Sequence, residues 1–119
     1  MTQQKSIEVS SFLKAFKEIA SVKGINVIPR QINNHALKEL GLTKANREDI
    51  ILSLTPTNFC SGPEADRDRP GELWFFGKTI ENREIYIKLK IAIIGSCKIA
   101  KCLSFHPAEY KLNYFSFPS

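Results

Sequence analysis

The chain has 119 residues, 43% hydrophobic and 24% charged, and its 17 Lys and Arg against 12 Asp and Glu give a formal net charge of +5. This composition excludes a disordered tail and predicts a single domain, residues 1–119, with a core of its own. The basic charge favours a polyanionic partner, and no stretch approaches the ~18 apolar residues that a membrane span requires.

Cysteine usage and the opening residues indicate the cellular compartment. Cys60, Cys97 and Cys102 fit neither a disulfide framework nor a CxxC pair, so we expect free thiols. The opening stretch MTQQKSIEVSSF lacks the apolar core of a signal peptide. We therefore predict a cytoplasmic protein that has no membrane partner.

The chain is predicted to begin with an amphipathic helix. Ser6 or Ser10 is suited to cap its start and Gly24 to end it. Its buried side is formed by apolar residues at helical spacing: Val9, Phe12, Leu13, Phe16, Ile19 and Ala20. Residues 25–29 then form a short apolar run, and Pro29, which has no backbone donor, is typical of a strand end or a sheet edge.

Two shorter helices and a loop are expected next. A second helix runs from about Asn34 and stops at Gly41. A third begins at Asn46, whose side chain can cap it, and is complete before Pro56. Residues 60–70, CSGPEADRDRP, carry five charges in eleven residues and are predicted to be a solvent-exposed loop.

The second half has the pattern of a β-meander. Residues 72–80, 84–94 and 99–105 are rich in aromatic and β-branched residues, and the segments between them are short. Short connections imply antiparallel neighbours, and we place the first turn on residues 82–83. The predicted fold class is therefore α+β, with the N-terminal helices packed on one face of a twisted antiparallel β-sheet.

Alternation along these strands predicts one apolar face and one basic face. The apolar face is expected to hold Trp74, Phe76, Ile80, Ile85, Ile87, Leu89, Ile91, Ile93, Leu103 and Phe105. The other face is expected to hold Phe75, Tyr86, Lys88, Lys90, Cys102, Ser104 and His106. The basic face is thus the candidate functional surface.

Metal and cofactor motifs are absent from the sequence. His35 and His106 are 71 positions apart, and no HxxxH, HxH or CxxC spacing exists. Neither a GxGxxG nor a Walker loop is present, and GxSxG is absent too. We therefore expect neither a metal nor an organic cofactor.

The basic face has the residue types that RNA cleavage requires. The 2′-hydroxyl of RNA can attack the adjacent phosphate, so a protein needs only a proton acceptor, a proton donor and cations. The candidate catalytic residues are His106, Tyr86 and Lys88. The candidate RNA-binding residues are Arg67, Arg69, Lys90 and Phe75.

A structural explanation exists for each of these residues. Lysines on an exposed sheet face improve solubility and oppose edge pairing. His106 can merely satisfy backbone groups, and Tyr86 can be an aromatic at the edge of the core. Arg67 and Arg69 alternate with acidic residues, and local pairing would reduce their use as phosphate ligands.

The segment IILSLTPTNFCSGPEADRDRPGELWFFGKTIENREIYIKLKI, followed by CLSFHPAEY, carries a family resemblance. Its pattern LTPxxF, xLW, xYIKLK and LSF resembles the motility quorum-sensing regulator (MqsR) toxins of bacterial type II toxin–antitoxin systems. Those toxins share the fold of the RelE-like ribonucleases. The similarity covers roughly residues 47–110.

The resemblance implies a ribosome-independent endonuclease that cleaves mRNA. It also implies a partner, a cognate antitoxin that is a DNA-binding helix-turn-helix protein. The tyrosine of the family's xYxK strand matches Tyr86. Ser61, Phe75 and His106 stand where the family has a lysine, a glutamine and a lysine. A histidine at a proton-transfer position remains chemically workable, since its ordinary pKa lies near neutrality.

Two other readings stay open. One is a non-catalytic module that binds RNA or protein on a degenerate toxin fold, for which the departures at Ser61 and Phe75 would be the cause. The other is ribosome-dependent mRNA cleavage, in which ribosomal RNA supplies part of the catalysis. The favoured hypothesis is a metal-independent endoribonuclease toxin acting on single-stranded RNA.

Overall fold

Three α-helices and a five-stranded β-sheet make up the computed structural model, which describes residues 2–117. The helices are α1 (Thr2–Lys23), α2 (Gln31–Leu40) and α3 (Lys44–Leu52). The strands are β1 (Ile25–Val27), β2 (Phe59–Ala65), β3 (Glu72–Ile80), β4 (Arg83–Ile94) and β5 (Cys97–Pro107). The helices pack against the sheet, so the predicted α+β class is confirmed. The first and the last two residues of the predicted 1–119 domain lie outside the described residues.

The sheet is mixed, whereas a purely antiparallel sheet was predicted. Its strand order is β1-β5-β4-β3-β2, and every neighbouring pair is antiparallel except β1 and β5, which are parallel. Short connections forced the antiparallel pairs, but β1 and β5 lie far apart in the sequence and no hairpin sets their relative direction. As Pro29 indicated, β1 occupies an edge of the sheet.

Glycine ends the first two helices as predicted. Gly24 and Gly41 have φ of 77° and 68°, the left-handed region that a residue with a Cβ rarely adopts. The predicted starts were too late. Ser6 and Ser10 lie inside α1, and α2 begins at Gln31, three positions before the predicted Asn34.

The cap of α3 is Thr43 and not the predicted Asn46. The Thr43 hydroxyl accepts a hydrogen bond from the Asn46 backbone N–H at 3.0 Å, and the Asn46 side chain accepts one from the Thr43 N–H at 3.0 Å. The two residues therefore form a reciprocal capping box. An asparagine can serve at either position of such a box, so the local pattern alone favoured the wrong one.

Strand β2 occupies most of the segment that was predicted to be a loop. Residues 59–65 pair with β3 at the second edge of the sheet, with shifts in register on both sides of Ser61. An edge strand has one unpaired side, so it tolerates the charges and the proline that indicated a loop. Only residues 66–71 form a connecting turn.

The β3–β4 hairpin turns on Glu81 and Asn82, one residue earlier than predicted. Both have positive φ, 47° and 68°, as the tightest hairpin turns require. In the resulting register Phe75 lies opposite Lys88, and Gly77 lies opposite Tyr86. This pairing differs from the predicted one by two residues. Because side chains alternate with a period of two, Phe75 and Tyr86 both keep their predicted face of the sheet.

A bulge in β5 places Cys102 and Leu103 on the faces of the sheet opposite to those predicted. The register with β4 shifts after Lys88, which lies opposite Ser104, while Leu89 lies opposite Cys102. The extra residue is Leu103. Cys102 is therefore buried in the core, and Leu103 turns toward the opposite face, where it lines a cavity.

The core lies between the helices and one face of the sheet. Phe12 of α1 stacks on Trp74 with ring centroids 4.5 Å apart, and Phe76 and Phe105 are fully buried beside them. Trp74 and Phe76 are core residues, as predicted. The opposite side of the sheet, here called the open face, holds Phe75, Tyr86, Lys88, Lys90 and His106.

Candidate active site

The open face brings three of the predicted residues together. Tyr86 and His106 are cross-strand neighbours, and their ring centroids lie 5.5 Å apart. The Phe75 ring stacks beside Tyr86 at 6.2 Å. Ser61 of β2 lies opposite Phe75 in the register of the two strands. The positions that the family resemblance identified thus form a continuous group across four strands.

The hydrogen bond of His106 determines which ring nitrogen is free. Nδ1 lies 3.0 Å from the carbonyl oxygen of Pro107. A carbonyl oxygen only accepts, so Nδ1 carries the hydrogen and donates it. In the neutral ring this leaves the lone pair on Nε2, which is the arrangement that a general base needs.

Tyr86 and Lys88 are half-buried, and their environment changes how they titrate. Burial, and next the negative charge of Glu64, raise the pKa of the Tyr86 phenol above its ordinary value. The phenol therefore keeps its proton at neutral pH and can donate a hydrogen bond. Burial, and next the positive charge of Arg30, lower the pKa of Lys88. The Lys88 ammonium lies 5.9 Å from the centroid of the Phe75 ring, in reach of a cation–π contact.

Lys90 lies on the same face, but its charge is already paired. Its Nζ donates to the Asp66 carboxylate at 2.6 Å, and the two side chains are only 4% and 9% exposed. The turn of residues 66–71 folds over Lys90, and a Cβ on Gly71 would come within 2.9 Å of its Cε. In the structure, Lys90 therefore holds this turn in place. The role predicted for Lys90 was contact with RNA.

Acid is expected to remove the stability that this ion pair contributes. The hydrogen bond from Lys90 and then the backbone N–H of Asp68 lower the pKa of Asp66 from 3.8 to about 2. A carboxyl whose pKa is lowered by folding stabilises the protein above its unfolded pKa, so the contribution disappears as pH falls from about 4 to about 2.

Thermal unfolding curves of the wild type and Asp66→Asn across this pH range test the effect. The wild-type Tm should fall more steeply than that of the variant. Asp49→Asn, which changes an exposed carboxylate on α3, is the matched control and should follow the wild type. Parallel curves for the wild type and Asp66→Asn would contradict this role of Asp66.

Arg67 and Arg69 are exposed on the turn before β3. Their suggested local pairing is not observed: within the described part of the chain, neither has a carboxylate oxygen closer than 4.0 Å. Asp66 accepts hydrogen bonds from the backbone N–H of Asp68 at 2.9 Å and of Arg69 at 3.4 Å. Both guanidinium groups therefore keep their charge available for a ligand.

Sequence reasoning missed two cations of this region. Arg30 and Lys101 line a cavity of about 290 Å³ together with Arg69, Leu103 and the carboxylates of Asp66 and Asp68. Arg30 reaches this face because β1 runs parallel to β5, a pairing of distant segments. The one feature of the local sequence that could have identified Arg30 is its position after Pro29, at the end of a predicted edge strand.

The segment after β5 crosses the other end of the open face. A cavity of about 260 Å³ lies between this segment, residues 108–112, and the Tyr86 and His106 side chains. The Leu112 backbone N–H donates to the Glu84 carboxylate at 3.1 Å and anchors the segment. Gly77 leaves room for this segment, because a Cβ there would come within 2.5 Å of the Leu112 Cδ1 atom. Tyr86 and His106 thus lie in a recess and not on a flat surface.

Among residues 2–117, no three His, Cys, Asp or Glu side chains are grouped so as to hold a metal ion. No helix in that range is long and apolar enough to cross a membrane.

Comparisons of the chain with protein-family models, with curated proteins and with solved structures found no match.

Proposed function

We propose that this protein is a metal-independent endoribonuclease toxin of a type II toxin–antitoxin system, acting on mRNA in the cytoplasm. The observation that carries the proposal is the pairing of Tyr86 with His106, whose rings lie 5.5 Å apart on a basic sheet face. Lys88 lies two positions from Tyr86 along the same strand and face. Together they supply a base, a neutral donor and a cation, the minimum for cleavage that uses the 2′-hydroxyl of RNA.

The reaction divides among these groups as follows. Nε2 of His106 takes the proton of the 2′-hydroxyl, and the 2′-oxygen attacks the adjacent phosphorus. The bond to the 5′-oxygen breaks, and the Tyr86 phenol, which also orients the phosphate, gives its proton to the leaving oxygen. Transfer of the proton from the His106 imidazolium to the Tyr86 phenolate, directly or through water, then restores both groups. Lys88 stabilises the charge that develops on the phosphate oxygens. The products are a 2′,3′-cyclic phosphate and a 5′-hydroxyl.

Substrate binding is assigned to the groups around this centre. Phe75 offers an aromatic surface on which an unstacked base can lie. Arg67 and Arg69 contact phosphates that flank the scissile one, and Arg30 and Lys101 extend the cationic path along the 290 Å³ cavity. Lys90 contributes indirectly, by holding the turn that carries both arginines.

Two experiments test the proposal. Induced expression in a host without an antitoxin gene should arrest growth. The purified protein should cleave bare single-stranded RNA in the presence of EDTA and leave a 2′,3′-cyclic phosphate. Cleavage only on ribosome-bound mRNA would indicate the ribosome-dependent alternative, and a requirement for a divalent metal would contradict the mechanism.

RNA affinity should fall steeply with salt, because binding releases counterions from the phosphates. Lys88→Ala is expected to reduce the slope of log affinity against log salt by about one phosphate contact. Lys14→Ala removes an exposed lysine on α1, on the opposite side of the sheet, and should leave the slope unchanged. Equal slopes for the wild type and Lys88→Ala would remove this residue from the binding surface.

The partner proposed for this toxin is a cognate antitoxin, a DNA-binding helix-turn-helix protein. Because the open face is basic, the antitoxin should be acidic where it docks, or should cover the face sterically. Coexpression with the neighbouring reading frame should then restore growth.

RNA binding without cleavage is the second candidate function. It is favoured by the pairing of Lys90 with Asp66, which removes one of the two β4 lysines of the open face from contact with a substrate. Under this alternative the protein binds RNA with the salt dependence above but does not cleave it.

A further inference from the structure

A second polar site lies on the helix side of the sheet, away from the open face. Arg47 of α3 is 5% exposed, and its Nε and Nη1 are fully buried with no hydrogen-bond partner among the described residues. Those two atoms carry three of the five N–H donors of the guanidinium group. Arginine keeps its charge at any physiological pH, so a buried cation with unused donors is costly unless an anion binds it.

The groups closest to Arg47 do not supply that anion. Glu48 follows it in the sequence, yet no ion pair joins them within the described residues. The Glu48 carboxylate lies instead toward Gly24, 3.9 Å from where a Cβ on that glycine would be. Burial raises the pKa of Cys102, whose thiol lies in the field of Arg47, to about 12, so this thiol is neutral.

Arg47 lines a pocket of about 330 Å³ between α3 and strand β1. Its other polar lining residues are Lys44, Asn34 and Glu48, and its apolar wall is formed by Ile25, Val27 and Pro29. Two cations face one carboxylate across this space, and the Asn34 amide can donate a further hydrogen bond. The volume is in the range of small-molecule sites.

We propose that this pocket binds a small oxyanion, a phosphate or carboxylate group, with Arg47 as its principal ligand and Lys44 and Asn34 at its rim. The anion offsets the positive charge of the guanidinium group where Arg47 lines the pocket, and charge-assisted hydrogen bonds from that group are stronger than neutral ones. The apolar wall accommodates the uncharged remainder of a small metabolite. This site is separate from the open face and does not depend on the proposed function.

Titration of the full chain with sodium phosphate, and separately with sodium acetate, tests the site at constant ionic strength. At least one of the two anions should raise the Tm in a saturable manner, because a ligand that binds only the folded state stabilises it. In wild-type NMR spectra the same anion should shift the backbone amides of residues 25–34 and 44–48. Amide shifts confined to the open face, or no saturable effect of either anion, would overturn the proposal.

Three variants test whether the anion binds at Arg47. Arg47→Met should abolish the effect of the anion and raise the Tm in chloride buffer, because it removes a buried unpaired charge. Glu48→Gln should tighten anion binding roughly threefold, the effect of removing one nearby like charge at solvent-like screening. Arg69→Ala is the control for phosphate binding on the open face and should retain the effect. Equal stabilisation of the wild type and Arg47→Met by the anion would refute the site. If Arg47→Met does not fold, unchanged anion affinity in Glu48→Gln would refute it instead.

Discussion

Replacing His106 by alanine is expected to lower the rate of RNA cleavage by about 10²- to 10⁴-fold, the usual loss when a positioned general acid or base is removed. His106 is the histidine whose Nδ1 is bound to the Pro107 carbonyl and which lines the recess beside Tyr86. The fold should survive, because the ring is half-buried and its one hydrogen bond is to a neighbouring residue. A fluorogenic single-stranded RNA measures the rate at matched protein concentration.

His35→Ala is the matched control for this experiment. His35 lies exposed on α2, and its ring is 3.8 Å from the Glu39 carboxylate. The variant should retain full activity and a nearly unchanged Tm. Full activity in His106→Ala, or equal losses in both histidine variants, would show that His106 does not transfer the proton.

Asn33→Ala is expected to destabilise the protein by about 2 kcal/mol or more, because the buried Phe105 N–H and the half-buried Leu103 carbonyl lose their partner at about 1–3 kcal/mol each, while the Ile28 carbonyl keeps its hydrogen bond from the Arg30 N–H. Asn33 is fully buried on α2. Its Nδ2 donates to the carbonyls of Ile28 and Leu103, both at 3.0 Å, and its Oδ1 accepts from the Phe105 N–H at 3.1 Å. This one side chain therefore connects α2 and the end of β1 to the bulge of β5, directly before His106.

Chemical denaturation of the variant measures the loss, and hydrogen exchange of the Phe105 amide locates it. Asn34→Ala changes the adjacent, exposed residue of the same helix and controls for helix propensity. That control should unfold close to the wild type, while the Phe105 amide should lose its protection only in Asn33→Ala. Similar stability losses in both variants would show that the three hydrogen bonds do not carry the effect.

The sequence alone determined the features that depend on neighbouring residues. Gly24 and Gly41 end their helices because few other residues adopt the left-handed backbone at those points. Phe75, Tyr86, Lys88 and His106 share a face because side chains alternate along a strand, and an error of two residues in the turn preserves that alternation. The candidate site was therefore predicted in outline.

Only the tertiary structure decided what depends on residues far apart in the chain. The polar segment 59–65 is a strand because it pairs with the edge of β3, and Lys90 forms an ion pair because the turn that carries Asp66 folds over it. The parallel pairing of β1 with β5 brings Arg30 to the open face, and a bulge in β5 places Cys102 in the core. Composition and periodicity report on local backbone preference, whereas these contacts follow from which distant surfaces meet, so no local pattern encodes them.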